Sequence, residues 1–149
     1  MAAHLDLRRW WTKTSSNFAA GITTPPMIET LQDQYGVLLP IDFKEYILTA
    51  CPAEDFWDAE HTVWWHFGRI KNVPEEYPHE IRSVTIAEQA RRYLFFADYC
   101  DWCWAWAISC TYDENWGKIA LIGGAPDRFV ANSFSDFVQK YLADIRLVC

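Results

Sequence analysis

The chain has 149 residues, 51% hydrophobic and 22% charged, which suits one globular domain with a real core. Its net charge of −7, from 13 basic and 20 acidic residues, argues against nucleic-acid binding, which needs a basic stripe to displace counterions. No apolar run approaches the roughly 20 residues of a membrane span, and "MAAHLDLRRWWTK" lacks an apolar signal-peptide core, so the chain reads as cytoplasmic with its five Cys reduced.

Residues 1–23 read as an N-terminal extension and 24–149 as a single domain. In the extension, Leu5, Leu7, Trp10 and Trp11 suggest a short helix, and "TKTSSN" a loop. The first firm helix follows "TTPP", because Pro is tolerated in a first helical turn. Ile28, Leu31 and Tyr35 then fall at i, i+3 and i+7, and Gly36 fits a C-terminal stop. A second helix starts at "LPIDFKEYILTA", with Phe43, Ile47 and Ala50 on one side and Asp42 and Lys44 facing away. "CPAEDFWDAE" holds four acids and no base and reads as a loop. "TVWWHF" alternates as a strand: Val63, Trp65 and Phe67 on one face, Thr62, Trp64 and His66 on the other.

"NVPEEYPHE" reads as a polar loop punctuated by Pro. Thr85 and Glu88 have the spacing of a capping box for a short helix through about Arg92. Strands then follow closely: "YLFFA", "WCWAWAIS", "KIALI" and "RFVA", with turns at "TYDENWG" and "GGAPD". Ser133 is placed to cap a last helix with Asp136 at N3, and Phe134, Phe137, Val138, Tyr141, Leu142 and Ile145 form its apolar stripe. Helices, then sequential strands, then a helix predict an α+β domain with helices packed on a largely antiparallel sheet.

Cys100-Asp101-Trp102-Cys103 raises a redox or metal question. By alternation, Trp102, Trp104, Trp106 and Ile108 point one way and Cys103, Ala105, Ala107 and Ser109 the other, the alternative being that "DYCDW" forms a turn. A redox pair sits instead at a helix N-terminus, where the dipole lowers the thiol pKa. Structural zinc needs four ligands, and there is no second Cys-x-x-Cys. The expected role of both Cys is that of small buried apolar residues. There is no Gly-rich phosphate loop and no Gly-x-Ser-x-Gly elbow. No catalytic constellation, metal or cofactor is therefore expected.

Acidic residues cluster beside aromatics in two segments: Glu54, Asp55, Trp57, Asp58 and Glu60, then Asp98, Tyr99, Asp101 and Trp102. These nine are the candidate partner-binding residues. Between 93 and 117 there are four acids and no Lys or Arg. An acidic rim around aromatic anchors suits a basic protein partner. The competing reading has the Trp filling the core and the acids forming a solvated face.

"IETLQDQYGVLLPIDFKEYILTA" resembles the opening of the SUKH superfamily: a helix, a Gly, Leu-Pro, a polar residue, an aromatic and a second helix. "YLFFADY" resembles its central strand ending in Ala-Asp. "GKIALI" followed by "VANSFSDFVQKYL" resembles its closing strands and last helix. The resemblance covers about residues 26–144, in family order. The chain has "YCDWCWAW" where many members have a Gly-rich segment, and "ACPAED" where Asn-Gly-Gly is common. The resemblance implies an α+β fold without a catalytic centre. It also implies an immunity protein that binds and neutralises a toxin domain, often a nuclease. The alternative it implies is a regulatory scaffold akin to the yeast cell-wall assembly regulator family. A sugar-binding role would instead need several exposed Trp in one groove.

Overall fold

The computed structural model describes residues 2–149. Helix α1 (Ala3–Thr14) buries Leu7 and Trp11 completely. Helix α2 (Pro25–Tyr35) starts on Pro25 and stops at Gly36, whose φ of +63° belongs to the left-handed region that glycine enters without a Cβ clash. Helix α3 (Ile41–Thr49) turns Phe43, Tyr46 and Ile47 inward. The acidic segment then carries a two-residue strand, β1 (Phe56–Trp57), and β2 (Thr62–Trp64) follows.

Next come β3 (Lys71–Asn72), α4 (Val73–Glu76) and α5 (Val84–Glu88). Four longer strands follow: β4 (Tyr93–Tyr99), β5 (Trp104–Ser109), β6 (Ile119–Ile122) and β7 (Arg128–Ala131). Helix α6 (Phe134–Ala143) follows, and a 3-10 turn at Ile145–Val148 ends the order, so Ile145 of the expected stripe lies beyond the helix. Ser133 caps α6 by accepting from the Asp136 amide at 2.9 Å, as its spacing predicts.

All seven strands pair antiparallel in the order β1-β2-β4-β5-β6-β7, and β3 lies beside β4 in line with β2. The domain is α+β, as read from the sequence. Alternation splits the sheet's apolar residues between two cores. Leu94 and Phe96 of β4 and Trp106 and Ile108 of β5 face the helices α1, α2, α3 and α6. Tyr93, Phe95, Ala105 and Ala107 face a second cluster covered by Val73 of α4 and Ile86 of α5. Both faces are dry, so β4 is buried from Tyr93 to Asp98.

Several local readings change. "CPAEDFWDAE" contains β1, because Phe56 pairs with Trp64 and Trp57 with Val63. The polar loop after residue 70 is ordered by β3 and by Asn72, whose side chain accepts from the Glu75 amide and caps α4. Ser83, not Thr85, caps α5, which ends at Glu88 before a 3-10 turn at Ala90–Arg92. Phe67 leaves the β2 alternation because it begins a 3-10 turn.

The extension, described from residue 2, packs onto the domain. The Trp11 ring lies 5.0 Å from Trp64 and 5.4 Å from Phe56, centroid to centroid. Residues 19–21 run antiparallel to 51–53 through an Ala20–Pro52 bridge. Truncating so large a buried ring leaves a cavity that the sheet cannot close, so Trp11→Ala should cost about 3–5 kcal/mol. Urea unfolding measures this. A loss under about 1 kcal/mol would mean that α1 is not part of the core.

Candidate functional site

Two of the nine candidate residues are buried rather than on the surface. Asp58 is 6% exposed and Asp98 is 1% exposed. Each carboxylate is buried because it satisfies the indole N–H of a buried Trp. Asp58 Oδ1 accepts from the Glu60 and Thr62 amides at 2.9 and 3.1 Å. Its Oδ2 accepts from Trp64 Nε1 at 2.8 Å and from the Tyr141 hydroxyl of α6. Burial pushes the Asp58 carboxyl above its ordinary range, against the pull of these four donors. Burial, then the adjacent Asp58 charge, pushes the Tyr141 hydroxyl up as well. Asp98 Oδ2 accepts from Trp65 Nε1 at 2.7 Å, and its Oδ1 from the Trp102 amide at 2.9 Å.

Arg69 ties the two acidic segments together. Its Nη1 donates to Asp55 Oδ2 at 2.6 Å, and its Nη2 stands 3.8 Å from Asp98 Oδ2. The guanidinium lies over the Trp65 ring at 3.9 Å, a cation–π contact. His66 donates its amide to Asp55 Oδ1 at 3.1 Å, and its Nδ1 lies 2.7 Å from the same oxygen. Burial opposes ionisation of Asp55, but the hydrogen bonds from His66 and Arg69 outweigh it and hold the carboxyl below its usual range. Neither His66 nor Arg69 was a sequence candidate. Arg69 lies fourteen residues from Asp55, and no local pattern joins them.

Glu54, Glu60, Asp101 and Trp57 remain on the surface, with the Trp57 ring 51% exposed. The β1–β2 turn and the β4–β5 turn abut: the Cys100 amide donates to His61 O at 2.9 Å. Tyr99 and Trp102 are half-buried. Tyr99 stacks on Trp104 with centroids 4.5 Å apart. Trp102 packs edge-on against Phe95 at 5.2 Å and lies parallel to Tyr77 at 6.1 Å. It therefore faces the second core, on the opposite side of the sheet from Trp106. The alternation fails because Cys100, Asp101 and Trp102 all take positive φ (50°, 61° and 72°), so the backbone turns where the reading had it extended.

That turn also exposes Cys100 and Cys103, whereas Cys51 and Cys110 are the buried thiols. Burial pushes Cys51 and Cys110 up to about 12. The Cys103 thiol is also raised, by desolvation first and then by Cys100 and nearby carboxylates. This is opposite to the shift that activates a redox thiol. Among the described residues, no group of three or more His, Cys, Asp or Glu could hold a metal ion.

A second surface was missed. Leu38, Ile41, Tyr112 and Trp116 are all exposed and adjoin two shallow grooves of about 470 and 240 Å³. Trp116 Nε1 donates to Leu38 O, and the Tyr112 hydroxyl to Gly36 O, each at 2.9 Å. Of the Trp a sugar site would draw on, Trp64 and Trp65 are fully buried, Trp102 and Trp104 are half-buried, and Trp57 is exposed.

No protein-family model, curated protein or solved structure matches this chain. Among the described residues no helix is long and apolar enough to cross a membrane.

The folded-state pKa of Asp55 lies below its unfolded value. Its contribution is therefore present above about pH 4 and is lost as pH falls through the folded pKa. Asp55→Asn should lower the thermal midpoint at neutral pH and flatten its fall below about pH 4. A profile identical to that of the unsubstituted chain would mean that His66 and Arg69 do not stabilise the ionised form.

Proposed function

We propose that this chain is a non-enzymatic, SUKH-like immunity protein that binds and neutralises a basic, nuclease-like toxin domain. One observation carries the reading. Glu54 lines a cleft with the exposed Trp57 ring, Glu60 and Asp101 stand in the abutting β1–β2 and β4–β5 turns, and among the described residues none of the three has an ion-pair partner.

Physical chemistry connects that surface to inhibition. A nuclease needs positive charge to hold phosphates. An acidic surface attracts it over a long range and competes for the same cations. The exposed indole supplies contact area that a charged rim alone lacks. The sequence resemblance supports the same class of function. Inhibition of this kind is stoichiometric and needs no cofactor.

The test begins with the tagged chain used to retain proteins from its source cells at low and high salt, with mass spectrometry as the readout. The expected result is a basic toxin-like domain released as salt rises. Recovery of kinases or cell-wall factors would replace the immunity reading with the scaffold. With the purified toxin domain, the triple substitution Glu54→Lys, Glu60→Lys and Asp101→Lys should slow association at least about tenfold at low salt. Unchanged association would contradict the proposed surface.

A further inference from the structure

The outer edge of the sheet deepens this reading. Trp65 N donates to Phe96 O and Cys100 N to His61 O, so the odd-numbered residues of this stretch bond toward β4. The even-numbered ones bond toward β1, as Asp58 N does to Thr62 O at 2.9 Å. Bonded and unbonded pairs alternate in an antiparallel ladder. Trp57 and Val63 are therefore an unbonded pair, and the Trp57 N–H and C=O point away from β2, out of the sheet. Neither group has a hydrogen-bond partner among the described residues.

A cleft of about 480 Å³ runs along this edge. Ser15, Asn17 and Ala19 form one wall, and residues 53–57 form the other. Glu54 and Asp55 line it, and no Lys or Arg does. We infer that β1 is a docking edge for an extended basic segment of the partner, which adds as a strand beside Trp57. The inference rests on the binding function proposed above.

The main chain of the incoming segment pairs with the Trp57 N–H and C=O. Glu54 and the exposed indole line the same cleft, so Lys or Arg side chains of the added strand meet both there. A second copy of this chain is the wrong occupant, because it would bring the same acids edge to edge.

The probe is an acetylated, amidated hexapeptide of alternating Lys and Val, titrated at low salt into the isotope-labelled full chain and followed by amide NMR. The expected result is a shift and new exchange protection at the Trp57 amide, with smaller shifts at 15–19. The same peptide methylated on alternate backbone nitrogens keeps its charge but loses its donors. It should bind at least about tenfold more weakly. Trp57→Ala should keep the main-chain pairing, and Trp57→Pro, which removes the edge N–H, should lose it.

Equal binding of the methylated peptide would overturn the inference, since charge alone would then explain the contact. So would shifts centred on Tyr112 and Trp116, or no shift at all. These tests separate from the parent reading. A toxin domain that responds to charge reversal at Glu54, Glu60 and Asp101 but not to Trp57→Pro sinks only the edge pairing. Indifference to charge reversal sinks the functional reading, whatever the peptide does.

Discussion

A carboxylate taken out of water costs several kcal/mol unless all of its lone pairs are engaged. Asp58 meets that condition with two amides, an indole and a phenol, and the rest of the structure follows from how those four donors converge. Two of them form the β1–β2 turn. The third fixes Trp64 in the main core. The fourth is Tyr141 of α6, so one side chain pins the turn, the sheet and the last helix together. Trp64 in turn packs 5.0 Å from Trp11 and 5.4 Å from Tyr141, which seats α1 and α6 against the sheet.

The neighbouring residue repeats the device on the other face. Trp65 points into the second core and gives its indole N–H to Asp98. Two adjacent Trp thus point to opposite sides of one strand, each held by its own buried aspartate. Asp98 also accepts from the Trp102 amide and so shapes the β4–β5 turn. The inward acids are spent on structure. The outward ones, Glu54, Glu60 and Asp101, have no ion-pair partner among the described residues, which is what leaves them open to the basic partner proposed above.

Much of this was legible in the sequence where a period ran long enough. Helices α2, α3 and α6 follow their apolar spacing, and strands β4 to β7 lie on the apolar runs between the turns, with bulges in β4 and at the β6–β7 pairing interrupting strict alternation. Strands β1 and β3 were not legible, because two residues carry no period and each exists only through its partner strand. Trp102 was misplaced because alternation presumes an extended backbone, and three non-glycine residues at positive φ announce themselves by no residue type. Asp58 and Asp98 were placed on the surface because their burial depends on distant donors, 83 residues away for Tyr141 and 33 for Trp65. The exposed acids and Trp57 were found because local charge density needs no long-range partner to be seen.

The claim that Asp58 holds this edge is tested most directly by hydrogen exchange. Amide protection at Glu60 and Thr62, and the exchange of the Trp64 indole N–H, would be compared between the unsubstituted chain and Asp58→Asn. All three should open in the variant while amides of β4, β5 and β6 keep their protection. Protection at Glu60, Thr62 and Trp64 that survives the substitution would show that the buried carboxylate is not what fixes the turn.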